Sequence, residues 1–248
     1  MKIRFLGLAA LAAALTGCGQ VKPPAAAPAA SLLTPLDALD ATGPAMSHTL
    51  YDIHGSGPPV LLIHGYMGTH ADETYLASML ASLGFATYTV DIQPADAAVA
   101  DNAQQVARCV DEILAEQHAA KIFLIGHSMG GLDARYYDDF LGGASKVKAL
   151  VTLATPNHGT LSSVFAEGGA KADLALNSPL VTKLDAVHET VPTLSLYSYT
   201  DNIVIPYTSA HLDGATNVAL CCYSHTGMRE TPKVIPYIQE FLASFAED

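Results

Sequence analysis

Basic residues are scarce in this chain. Lys and Arg total 12 against 24 Asp and Glu, a formal net charge of -12. Binding to nucleic acid needs a Lys/Arg footprint, so that class of partner is excluded. The acidity serves solubility and biases the surface against anionic partners. No long apolar run is present either: Phe5 to Leu15 is too short to cross a bilayer as a stable helix. Cysteine is sparse, at four residues, and no Cys/His spacing matches a zinc site. Internal repeats are absent, and low-complexity sequence is confined to one short stretch. What remains is 248 residues, half of them apolar. That suits one substantial domain with a large core.

The first residues read as a targeting signal. Lys2 and Arg4 precede the apolar run, which ends in Leu15-Thr16-Gly17-Cys18. Small residues before a cysteine resemble the lipobox of bacterial lipoproteins. That resemblance implies a signal peptide over residues 1–17 and a lipid on Cys18, holding the protein at a membrane surface in the cell envelope. The alternative is an ordinary secretory peptide cleaved nearby and a secreted product. Gln20 to Ala30 is rich in Pro and Ala, a composition that makes a semi-rigid tether. Residues 18–47 are therefore expected to be linker and approach segment, and 48–248 the folded domain.

From there strands and helices alternate. Thr49 to His54 suits an edge strand. Val60 to His64 is continuously apolar until its last residue, as in a parallel strand covered on both faces. A helix from about Asp72 to Leu83, a strand from Phe85 to Asp91 and a helix capped by Asp101-Asn102 follow. Lys121 to Ile125, Val147 to Ala154, Pro192 to Tyr197 and Asn217 to Cys222 read as further strands, and Val234 to Leu242 as a closing helix. This is an α/β pattern: a mainly parallel central sheet with helices on both faces. Cys109 falls on an apolar helix face. Cys221 and Cys222 are expected as two buried thiols in a strand, since a vicinal disulfide is strained.

The chemistry centres on Gly126-His-Ser-Met-Gly130, set between a strand and a helical pattern. A serine in G-x-S-x-G at a sharp strand-to-helix turn is a nucleophile elbow, with Ser128 as nucleophile. Serine needs a general base, and the base needs an acid to fix its tautomer. In open α/β sheets such groups lie just past strand carboxyl ends. After Ser128, that search selects Asp201, over Asp185 and Asp213, and His225, over His211, His127 and His158. The oxyanion hole is expected from the backbone N–H groups of Met129 and Tyr66.

These motifs resemble bacterial lipases of the α/β-hydrolase fold. Ile63-His-Gly-Tyr66, Gly126 to Tyr137, Leu153-Ala-Thr-Pro-Asn-His-Gly-Thr160 and Tyr199-Thr-Asp201 carry the likeness, which covers most of residues 58 to 243. The resemblance implies carboxylic-ester hydrolysis through an acyl-enzyme, with no organic cofactor, on a lipid or small ester substrate. A monomer is expected. It departs from larger lipases between Thr160 and Val191, where the room for a lid is small. Leu174 to Val187 is either a small flap, hinged at Gly168-Gly169, or an ordinary packed helix. No carboxylate cluster stands out for a metal such as calcium, and Asp138-Asp139 reads as a solvated helix end. An acyltransferase, phospholipase or thioesterase could use the same triad, and a non-enzymatic surface lipoprotein could keep the fold.

Overall fold

A strand with no polar alternation must be covered on both faces, and in the computed structural model a layer of helices lies on each side of the sheet. The structure describes residues 46–187 and 190–245. The leader, Cys18 and most of the linker lie outside the described residues. In chain order come β1 (Ser47–Asp52), β2 (Pro59–Ile63), α1 (His70–Ser82), β3 (Ala86–Gln93), α2 (Val99–Gln117), β4 (Ile122–His127) and α3 (Met129–Phe140). They are followed by β5 (Val147–Leu153), the short α4 (Ala170–Asp173) and α5 (Pro179–Asp185), β6 (Thr193–Ser198), β7 (Thr216–Leu220), α6 (Gly227–Glu230) and α7 (Ile235–Ala243).

The strands form one sheet in the order β1-β3-β2-β4-β5-β6-β7. Among the described strands only β1 runs antiparallel, against β3; the other pairings are parallel. Successive residues of one strand feed opposite cores. Val60 and Leu62 pack with Leu76 and Leu80 of α1 and Ile235, Ile238 and Leu242 of α7. Leu61 and Ile63 pack with Val106, Val110 and Ile113 of α2 and Tyr137 of α3. Cys109 belongs to this second core, as its helix face implied. In β2 and β4, Ile63 lies opposite Gly126. The loop after β2 and the elbow after β4 therefore emerge side by side. No helix among the described residues is long and apolar enough to cross a membrane.

Three local expectations need correction, and a fourth reading, left open between a flap and a packed helix, falls on the packed side. The second helix begins at Val99, ahead of Asp101-Asn102. Its cap comes from far along the chain, where Asp173 Oδ2 accepts the Val99 N–H at 2.8 Å. Asn102 is instead buried, with its amide 3.4 Å from Asp133. Cys221 and Cys222 lie beyond the end of β7, exposed and joined in a vicinal disulfide rather than held as buried thiols in a strand. The chain has to leave the edge strand there to bring His225 back over the sheet. Asp138 is buried rather than solvated, and its carboxylate accepts the Thr190 hydroxyl. Finally, Leu174 to Val187 divides into separate short pieces, with α5 in the second. Leu174, Leu180 and Leu184 pack against Met129 and Leu132 of α3 and Val99 of α2. Gly168 and Gly169 are pressed against Asp96 and Ala98 instead of forming an open hinge.

The packing of α5 is directly testable. Leu184 is fully buried, so Leu184→Ala should cost about 2–5 kcal/mol of unfolding free energy. In a chain of this size that lowers the melting temperature by roughly 5–15 °C. A variant that melts like the wild type would mean the segment is not part of the core.

Candidate active site

Ser128 sits between the end of β4 and the start of α3 with φ 55° and ψ -125°. A side-chain-bearing residue at positive φ is strained and persists only where its surroundings enforce it. Here the enforcement is steric. A Cβ on Gly126 would collide with the backbone at Gly130 and Gly131, and one on Gly130 with the carbonyls of Ile63 and His64. The Ser128 N–H donates to Leu153 O at 2.9 Å, which pins the turn to the end of β5.

The loop after β2 reaches the same point. A Cβ on Gly65 would stand 2.7 Å from Ser128 Cβ, so only glycine lets this backbone pass so close. His64, for which sequence reasoning found no role, holds the loop. The Ile92 N–H donates to its Nε2 at 3.0 Å, so the ring proton is on Nδ1, which lies 2.8 Å from Gly65 O. Burial pushes its pKa down and keeps it neutral. Tyr66 follows, and its N–H has no acceptor among the described residues. Met129 is the first residue of α3, so its N–H has no acceptor within the helix. Both expected oxyanion donors are thus available, one from each loop. The Tyr66 hydroxyl, at the far end of the side chain, accepts the Glu167 N–H at 2.9 Å.

Asp201 follows β6 and His225 follows β7. The structure brings them together: His225 Nδ1 lies 2.9 Å from Asp201 Oδ2 and 3.2 Å from Oδ1. With Nδ1–H committed to the carboxylate, Nε2 is the nitrogen left to take a proton. The Asp201 side chain also accepts the N–H groups of Ile203 and Val204, at 2.8 and 2.9 Å, so its orientation is set by its own loop. Its neighbour Asn202 accepts the His225 N–H on Oδ1 at 3.0 Å. The competing carboxylates pair with the competing histidines. Asp185 contacts His158 and Asp213 contacts His211, but these pairs are solvated. The Asp201 and His225 side chains are only 2% and 8% exposed, so their pairing is screened far less than an exposed one.

A second, unexpected cluster lies behind the base. His127 is buried, with Nε2 3.3 Å from the His225 carbonyl and Nδ1 3.4 Å from Arg229 Nη1. Arg229 donates to Asp72 Oδ1 at 2.7 Å and lies 3.7 Å from Glu73, both on α1. Burial raises the Glu73 carboxyl to about 8 despite that guanidinium. Burial and the neighbouring His225 hold His127 well below the ordinary histidine range. The sequence signal for Glu73 was weak: an acid beside the apolar stripe of α1 looks like any solvated helix residue.

Ser128 opens into a cavity of about 390 Å³, at the small end of the usual ligand-pocket range. Tyr66, Ala166, Leu174, Asn202, Ile203 and Ile205 help to line it. Phe165, also on its wall, is 86% exposed, and Leu161, Val164, Ile203 and Ile205 are exposed as well. Among the described residues, no group of three or more His, Cys, Asp or Glu is placed to hold a metal ion.

A mainly parallel sheet, an elbow serine, and an acid and a histidine carried just past the ends of two later strands define the α/β-hydrolase fold. This chain has that fold. Residues 58–179 match the family model for the alpha/beta hydrolase fold. A triacylglycerol lipase from Pseudarthrobacter phenanthrenivorans is 32% identical over 123 residues, covering 46% of this chain and 38% of the relative. One from Burkholderia plantarii is 32% identical over 123 residues, covering 46% of this chain and 34% of the relative. The match thus spans well under half the length of either curated relative. The crystal structure of a Bacillus licheniformis lipase in its mature form superposes with a TM-score of 0.62 at 18% identity, over 75% of this chain and 92% of that one.

Glu73 should leave a signature in pH-dependent stability. Its native pKa is raised from 4.5 to about 8. Its stabilising contribution is therefore complete below the unfolded value and is lost as pH climbs through that window. Glu73→Gln keeps the shape and removes the titration. Urea unfolding should show the variant closest to wild type near about pH 5, and relatively more stable by at least about 1 kcal/mol near about pH 9. A constant difference across that range would refute the buried, proton-holding state of Glu73.

Proposed function

We propose that this protein is a serine carboxylic-ester hydrolase of the lipase and esterase type, working through an acyl-enzyme on Ser128. The observation that carries this reading is the buried Asp201–His225 pair set past the strands that follow the elbow. Asn202, next to Asp201, lines the same cavity as Ser128. His225 Nε2 takes the Ser128 proton as Oγ attacks the ester carbonyl, while Asp201 holds Nδ1–H and stabilises the imidazolium. The developing oxyanion is met by the Tyr66 and Met129 N–H groups, each worth about 3 kcal/mol of barrier. The alcohol leaves with the proton from Nε2, and water repeats the sequence to free the acid. The exposed apolar wall around Phe165, Ile203 and Ile205 suits acylglycerols or similar lipid esters.

A chromogenic ester tests the assignment. Ser128→Ala should lose about 10⁴-fold or more in kcat, and His225→Ala nearly as much, because the triad acts as a unit. Hydrolysis that survives Ser128→Ala would sink the reading, and a mild effect at His225 would move the base elsewhere.

The site works tethered at the cell envelope through lipid on Cys18. Support comes from the order of charged, apolar and small residues before that cysteine. In cells fed labelled fatty acid, the wild type should carry label and sediment with membranes. Cys18→Ala should lose both properties, and label retained on that variant would exclude the anchor.

A further inference from the structure

The residue before the nucleophile has no part in the chemistry described above, yet it sits in a buried polar cluster behind the base. We propose that His127 is a positioning residue, which clamps the backbone of His225 and so keeps the base aimed. This deepens the hydrolase reading and rests on it.

The ring's tautomer follows from its neighbours. Arg229 Nη1 lies 3.4 Å from His127 Nδ1. A guanidinium only donates, so Nδ1 must present its lone pair. A neutral imidazole then carries its proton on Nε2, which faces the His225 carbonyl at 3.3 Å. That carbonyl only accepts, so both contacts are satisfied by one tautomer and by no other. Glu73 Oε1, 3.7 Å from Nδ1, adds no conflicting demand. Burial favours the same neutral form.

The clamp matters because His225 has little support of its own. It lies in the loop between the edge strand β7 and the single turn α6. Two side chains hold its main chain: Asn202 takes the N–H at 3.0 Å and His127 meets the C=O. The second hold extends further, because Arg229 on α6 is anchored to Asp72 on α1 at 2.7 Å. The base is thereby referenced to the elbow on one side and to a long helix on the other. The position calls for histidine in particular. Few side chains offer an acceptor at one end of a rigid ring and a donor at the other, across the gap between a guanidinium and a carbonyl. The His127 and His225 rings are 4.9 Å apart, close enough for a shift in one to move the other.

Two measurements test this. In ¹⁵N-histidine NMR of the wild-type protein, the His127 signals, assigned by their loss in His127→Gln, should report a neutral ring protonated on Nε2 at neutral pH. A ring protonated on Nδ1, or a charged one, would overturn the proposal. In kinetics on an ester substrate, His127→Leu should lower kcat roughly 10- to 100-fold, as expected for a small misplacement of a catalytic group. KM should stay within about twofold, because binding contacts are untouched. His127→Gln, which restores a donor, should recover part of the loss. A folded His127→Leu with wild-type kcat would also overturn the proposal. Should that variant fail to fold, the tautomer measurement on the wild type still decides. If the wild type hydrolyses no ester, the hydrolase reading fails by itself, and the tautomer remains the test of the clamp.

Discussion

The backbone of Ser128 is the constraint on which the site depends. Holding a side-chain-bearing residue at φ 55° costs on the order of 1–3 kcal/mol. The turn persists because the strand before it and the helix after it are both buried in cores that would be lost if it relaxed. β4 is buried along its whole length, and most of α3 is buried too. The same geometry places the Ser128 N–H on Leu153 O and brings Gly130 against the carbonyls of Ile63 and His64. One strained residue thus fixes how three neighbouring strands, β2, β4 and β5, meet at their carboxyl ends.

Burial then separates the proposed acid–base pair from similar contacts elsewhere in the fold. Carboxylate–imidazole contacts of similar length recur at His70–Asp91, His158–Asp185 and His225–Asp201. Distance alone does not distinguish them. In the first two, each partner is exposed enough for water to screen the interaction and to compete for the ring. Asp201 and His225 are shielded, and each is also held by main-chain hydrogen bonds within the two loops. Shielding of this kind helps to hold His225 in one tautomer, as the proposed proton transfer needs.

Much of this was legible in the residues. Continuous apolar runs marked the parallel strands, because each residue from Val60 to Ile63 of β2 enters one core or the other. The elbow and its two partners could be read because their positions follow from topology: each lies just past a strand end. What escaped was whatever depends on distant contacts. The cap of α2 is Asp173, supplied from far along the chain, whereas the neighbouring sequence offers only Asp101-Asn102. Glu73 looks like an ordinary helix acid until Arg229 and His127 fold against it. Leu174 to Val187 has the composition of a flap, and only the hollow left by α3 and Val99 shows that its leucines are already occupied. Cys221 and Cys222 are β-prone in type, but the need to return His225 over the sheet ends the strand before them.

Tyr66 joins two tasks in one residue. Its amide is a proposed oxyanion donor, while its hydroxyl secures the Glu167 backbone, next to the Phe165 and Ala166 wall of the cavity. Under the proposed mechanism, substrate selection and rate enhancement therefore share a mechanical link. In loop grafting, a transplanted wall would pull on a phenol whose own peptide unit is a proposed oxyanion donor, so selectivity and turnover would drift together under such engineering.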